Sequence, residues 1–322
     1  MDQRVKCAVV GLGRIASLLE KDGLREKPCT HVGAIVGNPR CELVAGADID
    51  PERRELFREQ WGCDAVYEKA EEMLNAEHPE ILVVATHPDS HFRYVRAAAR
   101  QQVPVVVCEK PLADTLWKAR RIARLHRSGR ITVITNHERR YSADYIRSRE
   151  AVRDRRYGTL LSVKGTLYFG RTTRRDRMLL HDGTHLVDAV NFLTGNYARF
   201  TRRHGPLRSR RGSTFLLGKA GDIPVSIEVG SERDHLVFEL ELSFESGRIR
   251  VGNGVESWER SQESPYYEGY RSLLPESTAG AGPTGYFANM IADAVACVEE
   301  RSREPRSSAL DALEVMKFIR RR

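Results

Sequence analysis

The chain has 322 residues, 41% hydrophobic and 30% charged, with a formal net charge of +8 and a mean hydropathy of −0.46. This length suits two domains of ordinary size, and no apolar run approaches the roughly 20 residues of a membrane-spanning helix. A strand-like run starts at Val5 and leaves no room for a signal peptide, and the six cysteines form no C-x-x-C pair, so reduced buried thiols in a cytoplasmic protein are expected.

Nine lysines stand against 43 arginines, which cluster at 147–156, 171–177 and 202–211. The clusters lack interleaved aromatic residues and no helix-turn-helix pattern is present, so they read as solvated surface; neither nucleic acid nor membrane is an expected partner. Arg171, Arg174, Arg175 and Arg177 remain candidates for holding an anionic group on a substrate.

In chain order, the valine-rich run Val5–Val10 predicts a buried parallel strand. It leads into Gly11-Leu12-Gly13-Arg14-Ile15-Ala16, the G-x-G-x-x-A dinucleotide pattern. The first glycine would make the turn, and the second would let a pyrophosphate approach backbone at Gly13, Arg14 and Ile15. Ala16 would let the following helix lie close. That helix is expected to reach about Leu19, with an inserted loop over Glu20–Pro28 and a second helical piece at His31–Val36. Leu43–Ala47 reads as the second strand, and Asp48 at its end is placed to accept from the adenosine ribose hydroxyls. The spacing from Gly11 is 37 residues, against the usual ~20, because of the loop. Asp48 favours NAD over NADP, while Arg53 and Arg54 weaken that preference. Asp50 before Pro51 reads as a helix cap.

Further strands are predicted at Ala65–Tyr67, Ile81–Thr86, Val103–Val107 and Ile131–Thr135, alternating with helices. Asp89 is a candidate cap for one helix, Asp114 or Thr115 for the next, which Gly129 closes. In an open parallel sheet, ligands lie across the carboxyl ends of the strands. Gly11–Ala16, Asp48, Thr86, His87, Glu109, Lys110 and Asn136 therefore fall along one candidate cofactor edge. A lysine at a buried strand end needs a task or a partner; Lys110 could hold a substrate oxygen as hydride leaves, or form a salt bridge with a neighbouring acid.

Beyond Asn136 the pattern turns to period two, at Leu161–Phe169, Ile223–Val229 and Leu236–Phe244, which predicts long antiparallel strands buried on one face. Gly252–Gly285 reads as an extended loop, followed by helices at Tyr286–Glu300 and Ser308–Arg320. The expected fold class is α/β: an N-terminal Rossmann domain over 1–136, and an α+β domain over 137–322 with a large, mostly antiparallel open sheet.

The glycine-rich start, Glu109-Lys110-Pro111, Asn136 ahead of Arg139-Arg140-Tyr141, the large second domain, and the closing Glu304-Pro305-Arg306-Ser307-Ser308 with Asp311-Ala312-Leu313 together resemble the Gfo/Idh/MocA oxidoreductase family. The resemblance implies NAD(P)-linked hydride transfer on a sugar, cyclitol or related hydroxyl compound, with Lys110 touching the reacting hydroxyl. His181-Asp182-Gly183-Thr184-His185 resembles the family's Asp-x-Gly-x-His, which puts His185 at the catalytic histidine and His181 where the family has aspartate. Asp182 carries an acid one residue later, and Asp182, Arg140 and Arg171 are the substrate candidates. His181 and His185 also match a metal-pair spacing or a purely structural pair; no third ligand is evident, and no metal is assigned. If the helix starts early enough, both histidines share one face and act with Lys110 as an acid/base unit. The alternative is a catalytically silent dinucleotide-binding sensor or scaffold, with a tightly held cofactor in a net non-redox reaction as a third option. A homodimer or homotetramer is expected from the broad one-sided sheet.

Overall fold

The computed structural model describes residues 4–168, 174–276 and 282–320. The chain forms two compact units, one comprising residues 1–141 with 285–320, the other 142–284. The boundary therefore differs from a division at 136, because the last two helices return to the first unit.

The first unit is built on β1 (Val5–Val10), β2 (Cys41–Ala47), β3 (Val66–Tyr67), β4 (Ile81–Val84), β5 (Val105–Cys108) and β6 (Thr132–Thr135). They form a parallel sheet in the order β3-β2-β1-β4-β5-β6. β4 and β5 are buried along their whole length, as a sheet covered on both faces requires. Alternate residues feed two cores. Ala8, Val10, Leu82, Val84 and Val106 face one core; Cys7, Val9, Ile81, Val83 and Val105 face the other.

The connecting helices are α1 (His31–Val36), α2 (Pro51–Trp61), α3 (Ala70–Glu77), α4 (His91–Arg100) and α5 (Leu116–Arg127). Thr115 caps α5 by accepting from Lys118 N, and Asp50 caps α2 by accepting from Glu52 N. Asp89 does not cap α4: the cap position belongs to Ser90, whose side chain makes no cap bond. The second unit adds α6 (Ala143–Arg153), β7 (Leu160–Tyr168), α7 (Arg175–His181), α8 (Gly183–Thr194) and β8 (Ala198–His204). Then come β9 (Ser213–Ala220), β10 (Ile223–Gly230), β11 (Val237–Phe244), β12 (Gly247–Gly252), β13 (Val255–Glu263) and β14 (Arg271–Pro275).

The closing helices α9 (Tyr286–Glu299) and α10 (Ala309–Arg320) lie on opposite faces of the first sheet. Phe287, Met290, Ile291, Ala294 and Val295 join one core; Ala309, Ala312, Leu313 and Met316 join the other. Ser307 ties this return to β6, its carbonyl accepting from Thr135 N at 2.9 Å and its hydroxyl donating to Thr135 O at 2.7 Å. Nothing in linear sequence says which sheet a terminal amphipathic helix will cover.

The eight strands of the second unit run β14-β13-β12-β11-β7-β10-β9-β8. All pairings are antiparallel except β10 with β7. The segment after Gly252 is thus two strands, β13 and β14, rather than a long loop; their exposed polar face hid the alternation. α8 packs on this sheet over Gly165, where a Cβ would lie 3.2 Å from Leu186, Ile227 and Leu240. Several cluster arginines are paired with acids: Arg147 with Glu256, Arg153 with Asp154 and Arg156 with Glu276.

Candidate dinucleotide and catalytic sites

The turn after β1 needs glycine at its first position. Gly11 has φ +86°, and a Cβ there would come within 2.7 Å of Ala85 O. Gly13 is different. A Cβ on it would find only the exposed end of Arg53, at 3.6 Å, so its backbone faces open space where a pyrophosphate can approach. Arg14 is exposed and Ile15 half-buried beside it.

The expected helix from Ala16 to Leu19 is not a continuous one. Gly13–Ser17 forms a single turn, with Ser17 N donating to Gly13 O at 3.1 Å, and a short 3-10 turn covers Leu18–Lys21. The helix resumes at His31, whose N–H donates to Ile15 O at 3.3 Å, while Val32 N donates to Ala16 O at 2.9 Å. The hydrogen bonds run as though residues 17–28 were absent. Without those twelve residues the spacing from Gly11 to Asp48 becomes 25, near the usual ~20.

Asp48 ends β2 with its side chain only 5% exposed. Its Oδ2 accepts from Leu12 N at 2.8 Å and its Oδ1 from Asp50 N at 3.0 Å. These bonds fix the carboxylate against the glycine turn. Arg53 Nη1 lies 3.6 Å from the same Oδ2, and Arg54 Nη1 donates to Asp48 O at 2.7 Å. Thr86 is half-buried after β4, its hydroxyl 2.7 Å from Ser90 Oγ, and His87 is exposed.

Glu109, directly after β5, is buried. His31 Nε2 lies 2.8 Å and Asn136 Nδ2 2.6 Å from its Oε1, and Lys110 N donates to Oε2 at 3.2 Å. Burial pushes this carboxyl up, but the bond and charge of His31, the Asn136 amide and the Lys110 charge outweigh it and hold it below the ordinary value. Glu109 is therefore engaged inside the unit, and Lys110, half-buried, follows it at the strand end.

Arg140 is corrected as a substrate residue. Its guanidinium donates to Arg306 O at 3.0 Å and pairs with Asp311 at 3.2 Å, so it ties the segment after β6 to α10. Arg171 lies outside the described residues. Of its neighbours, Arg174 pairs with Asp176, and Arg175 is fully buried. Arg175 Nε donates to Thr214 Oγ1 at 2.8 Å, and its remaining nitrogens reach the carbonyls of Pro206, Arg211 and Gly212. That side chain is spent on closing the 206–212 segment and is removed from the substrate candidates.

The two histidines also part. His181 ends α7 with its side chain 74% exposed, and His185 is buried in α8. They do not share one continuous helix face, because Asp182 breaks the run and Gly183 wedges α8 against Leu179, 2.8 Å from where a Cβ would be. Asp182 Oδ1 lies 3.2 Å from His181 Nδ1, and its Oδ2 is buried without a hydrogen-bond partner. His185 N donates to Asp182 O at 3.0 Å. Among the described residues no three His, Cys, Asp or Glu side chains gather where they could hold a metal.

The oxidoreductase family model with an NAD-binding Rossmann fold, GFO_IDH_MocA, matches residues 5–137. Over that stretch the chain is similar to the Gfo/Idh/MocA family of oxidoreductases. A D-apiose dehydrogenase of Paraburkholderia graminis is 30% identical over 175 residues, 49% of this chain and 44% of that protein. An inositol 2-dehydrogenase of Rubrobacter xylanophilus is 30% identical over 128 residues, 39% of this chain and 36% of that one. The matches thus span less than half the length of these relatives. The crystal structure of an Agrobacterium radiobacter oxidoreductase in complex with NAD+, L-tartaric acid and magnesium superposes with a TM-score of 0.75 at 17% identity, covering 99% of this chain and 95% of that one, and shares its fold.

Within the stretch that the family model matches, sequence reasoning missed His31. It stands 78 residues from Glu109, and the only local signal was a histidine directly after a capping threonine.

Proposed function

We propose that the chain is a dehydrogenase that moves hydride between NAD and a hydroxyl carbon of a sugar, cyclitol or sugar derivative. The supporting observation is one edge of one sheet. The glycine turn after β1, Asp48 after β2 and Lys110 after β5 all stand at carboxyl ends of strands, around the order reversal between β1 and β4, where open α/β sheets bind dinucleotides. The open backbone at Gly13 and the anchored Asp48 carboxylate fit NAD.

When bound, the coenzyme supplies a nicotinamide carbon that accepts hydride. Lys110 hydrogen-bonds the reacting oxygen and stabilises its developing negative charge. His185 takes the hydroxyl proton, as an imidazole does near neutral pH. Asp182, with one buried carboxylate oxygen unpartnered, supplies the acid that His181 cannot, and accepts from a second substrate hydroxyl. Asp48 selects NAD, since a carboxylate beside a 2′-phosphate costs on the order of 1–3 kcal/mol. A second copy covers the outer face of the large sheet, where Phe215 and Leu217 are exposed. Among the described residues no helix is long and apolar enough to cross a membrane, and the six buried free thiols suit a cytoplasmic setting.

The test is a screen of sugars, cyclitols and sugar nucleotides for NADH formation. Lys110→Ala and His185→Ala should each lower turnover roughly 10²–10⁴-fold, the size of general acid–base catalysis, with NADH affinity kept. A chain that binds NADH and oxidises nothing in the panel would be the silent sensor instead.

A further inference from the structure

The inserted segment and the reactive lysine meet at a residue to which neither the fold nor the proposed reaction assigns a role. His31 is fully buried, packed edge-on to Phe287 with ring centroids 5.0 Å apart. Its Nε2 lies 2.8 Å from Glu109 Oε1, while its Nδ1 is buried with no hydrogen-bond partner. A buried polar atom left so placed is costly, and the bond to the buried Glu109 carboxylate is what keeps the ring there.

Glu109 accepts from His31 on one oxygen and from the backbone N–H of Lys110 on the other. Asn136 Nδ2 braces the first oxygen from β6. On the other side, His31 opens α1, whose cap Thr30 accepts from Gly33 N at 3.0 Å. Thr30 in turn donates to Glu20 Oε2 at 2.6 Å, and Cys29 N donates to the same oxygen at 3.1 Å. Glu20 belongs to the inserted segment, so the segment fixes the histidine, the histidine fixes the glutamate, and the glutamate fixes the backbone from which Lys110 projects.

We infer that His31 is a positioning residue for Lys110, acting through Glu109, and that the 17–28 insertion sets the lysine through this chain of bonds. The inference rests on the reading that Lys110 holds the reacting oxygen. It has a readout that does not: the amide hydrogen exchange of Lys110 in the full-length protein.

In His31→Ala the Lys110 amide should exchange about tenfold faster or more, since its acceptor is no longer held. His31→Gln, whose side-chain amide can donate from the position of Nε2, should bring exchange back towards the wild-type rate. With the substrate found in the screen, His31→Ala should lower kcat roughly 10–100-fold, the scale of an ångström-sized misplacement, while KM and NADH affinity move less than about threefold. His31→Gln should recover most of the loss. Where the alanine variant does not fold, His31→Met against His31→Gln makes the same comparison between an apolar filler and a donor. Wild-type exchange at Lys110 in His31→Ala or His31→Met, or equal losses in kcat, coenzyme affinity and Tm without rescue by glutamine, overturns the inference. Full turnover in Lys110→Ala overturns the role given to Lys110 in the proposed reaction instead, and leaves the exchange measurement to decide on His31.

Discussion

Glu109 in the first unit and Arg175 in the second are both buried charges, yet their surroundings differ in kind. Glu109 is held by two side chains from distant parts of the chain and by one backbone N–H. Arg175 is held by a threonine hydroxyl and by three carbonyls of the 206–212 segment. Side-chain partners can be exchanged one at a time to tune a group, whereas backbone carbonyls only secure the path of the chain. The first arrangement suits a position that prepares a neighbour for chemistry, the second a bracket. Burial pulls Arg175 below the ordinary arginine value, and burial raises Glu109 until its partners reverse the sign.

The sharpest way to break this contrast is Arg175→Ala. It leaves three carbonyls and a hydroxyl without their donor, so thermal or urea unfolding should show a loss of about 3 kcal/mol or more. Arg175→Lys should recover little, because an ammonium cannot reproduce a planar fork of donors. A stable alanine variant would show that the bracket is not needed.

Glu109→Gln should have the next largest effect. It keeps the shape but replaces charge-assisted bonds with neutral ones and turns a donor towards Lys110 N, a loss of about 1.5–3 kcal/mol by equilibrium unfolding. The fold should survive, unlike a change to the bracket. Asp48→Asn acts on the same edge but on ligand choice. It removes the negative charge while keeping an acceptor, so the ratio of NADP to NAD affinity should rise by about 1–2 kcal/mol, measured by titrating both coenzymes. An unchanged ratio would take selectivity away from Asp48.

The smallest effect concerns acid. The folded Glu109 carboxyl lies below its ordinary value of 4.5. Its contribution is therefore complete above that value and is lost as pH falls through the lower, folded one. The stability gap between wild type and Glu109→Gln should be level from neutral pH down to about 5, then shrink below 4.5. A gap that widens on acidification would mean that the carboxyl is raised by burial after all.

Much of the first unit was legible because its signals are local. A valine run, a glycine turn, an acid at a strand end and Glu109-Lys110-Pro111 each declare themselves within a few residues. The large sheet was legible wherever one face was apolar, as in β11, and missed in β13, where Ser257, Glu259 and Ser261 give the run no hydrophobic stripe. The return of α9 and α10 to the first sheet depends on which apolar surface is uncovered, a property of the assembled core. The candidate site divides the same way. Asp48 and Lys110 follow from strand order, while His31 and Arg175 are defined by partners tens of residues away. His181 and His185 were read as one helical turn apart, and only the wedge at Gly183 reveals that two helices meet there.

The interrupted helix after Ala16 also separates covalent continuity from structural continuity. Hydrogen bonds from His31 and Val32 reach back to Ile15 and Ala16, so α1 does not depend on an unbroken peptide chain to keep its register. The tip of the detour, at Leu24, is 99% exposed. A cut there, or new chain termini engineered there, would leave the glycine turn and the helix joined by their hydrogen bonds and by the anchors of Glu20. The protein could in that sense be assembled from two fragments, an N-terminal peptide of about two dozen residues and the rest of the chain, meeting at the glycine turn after β1.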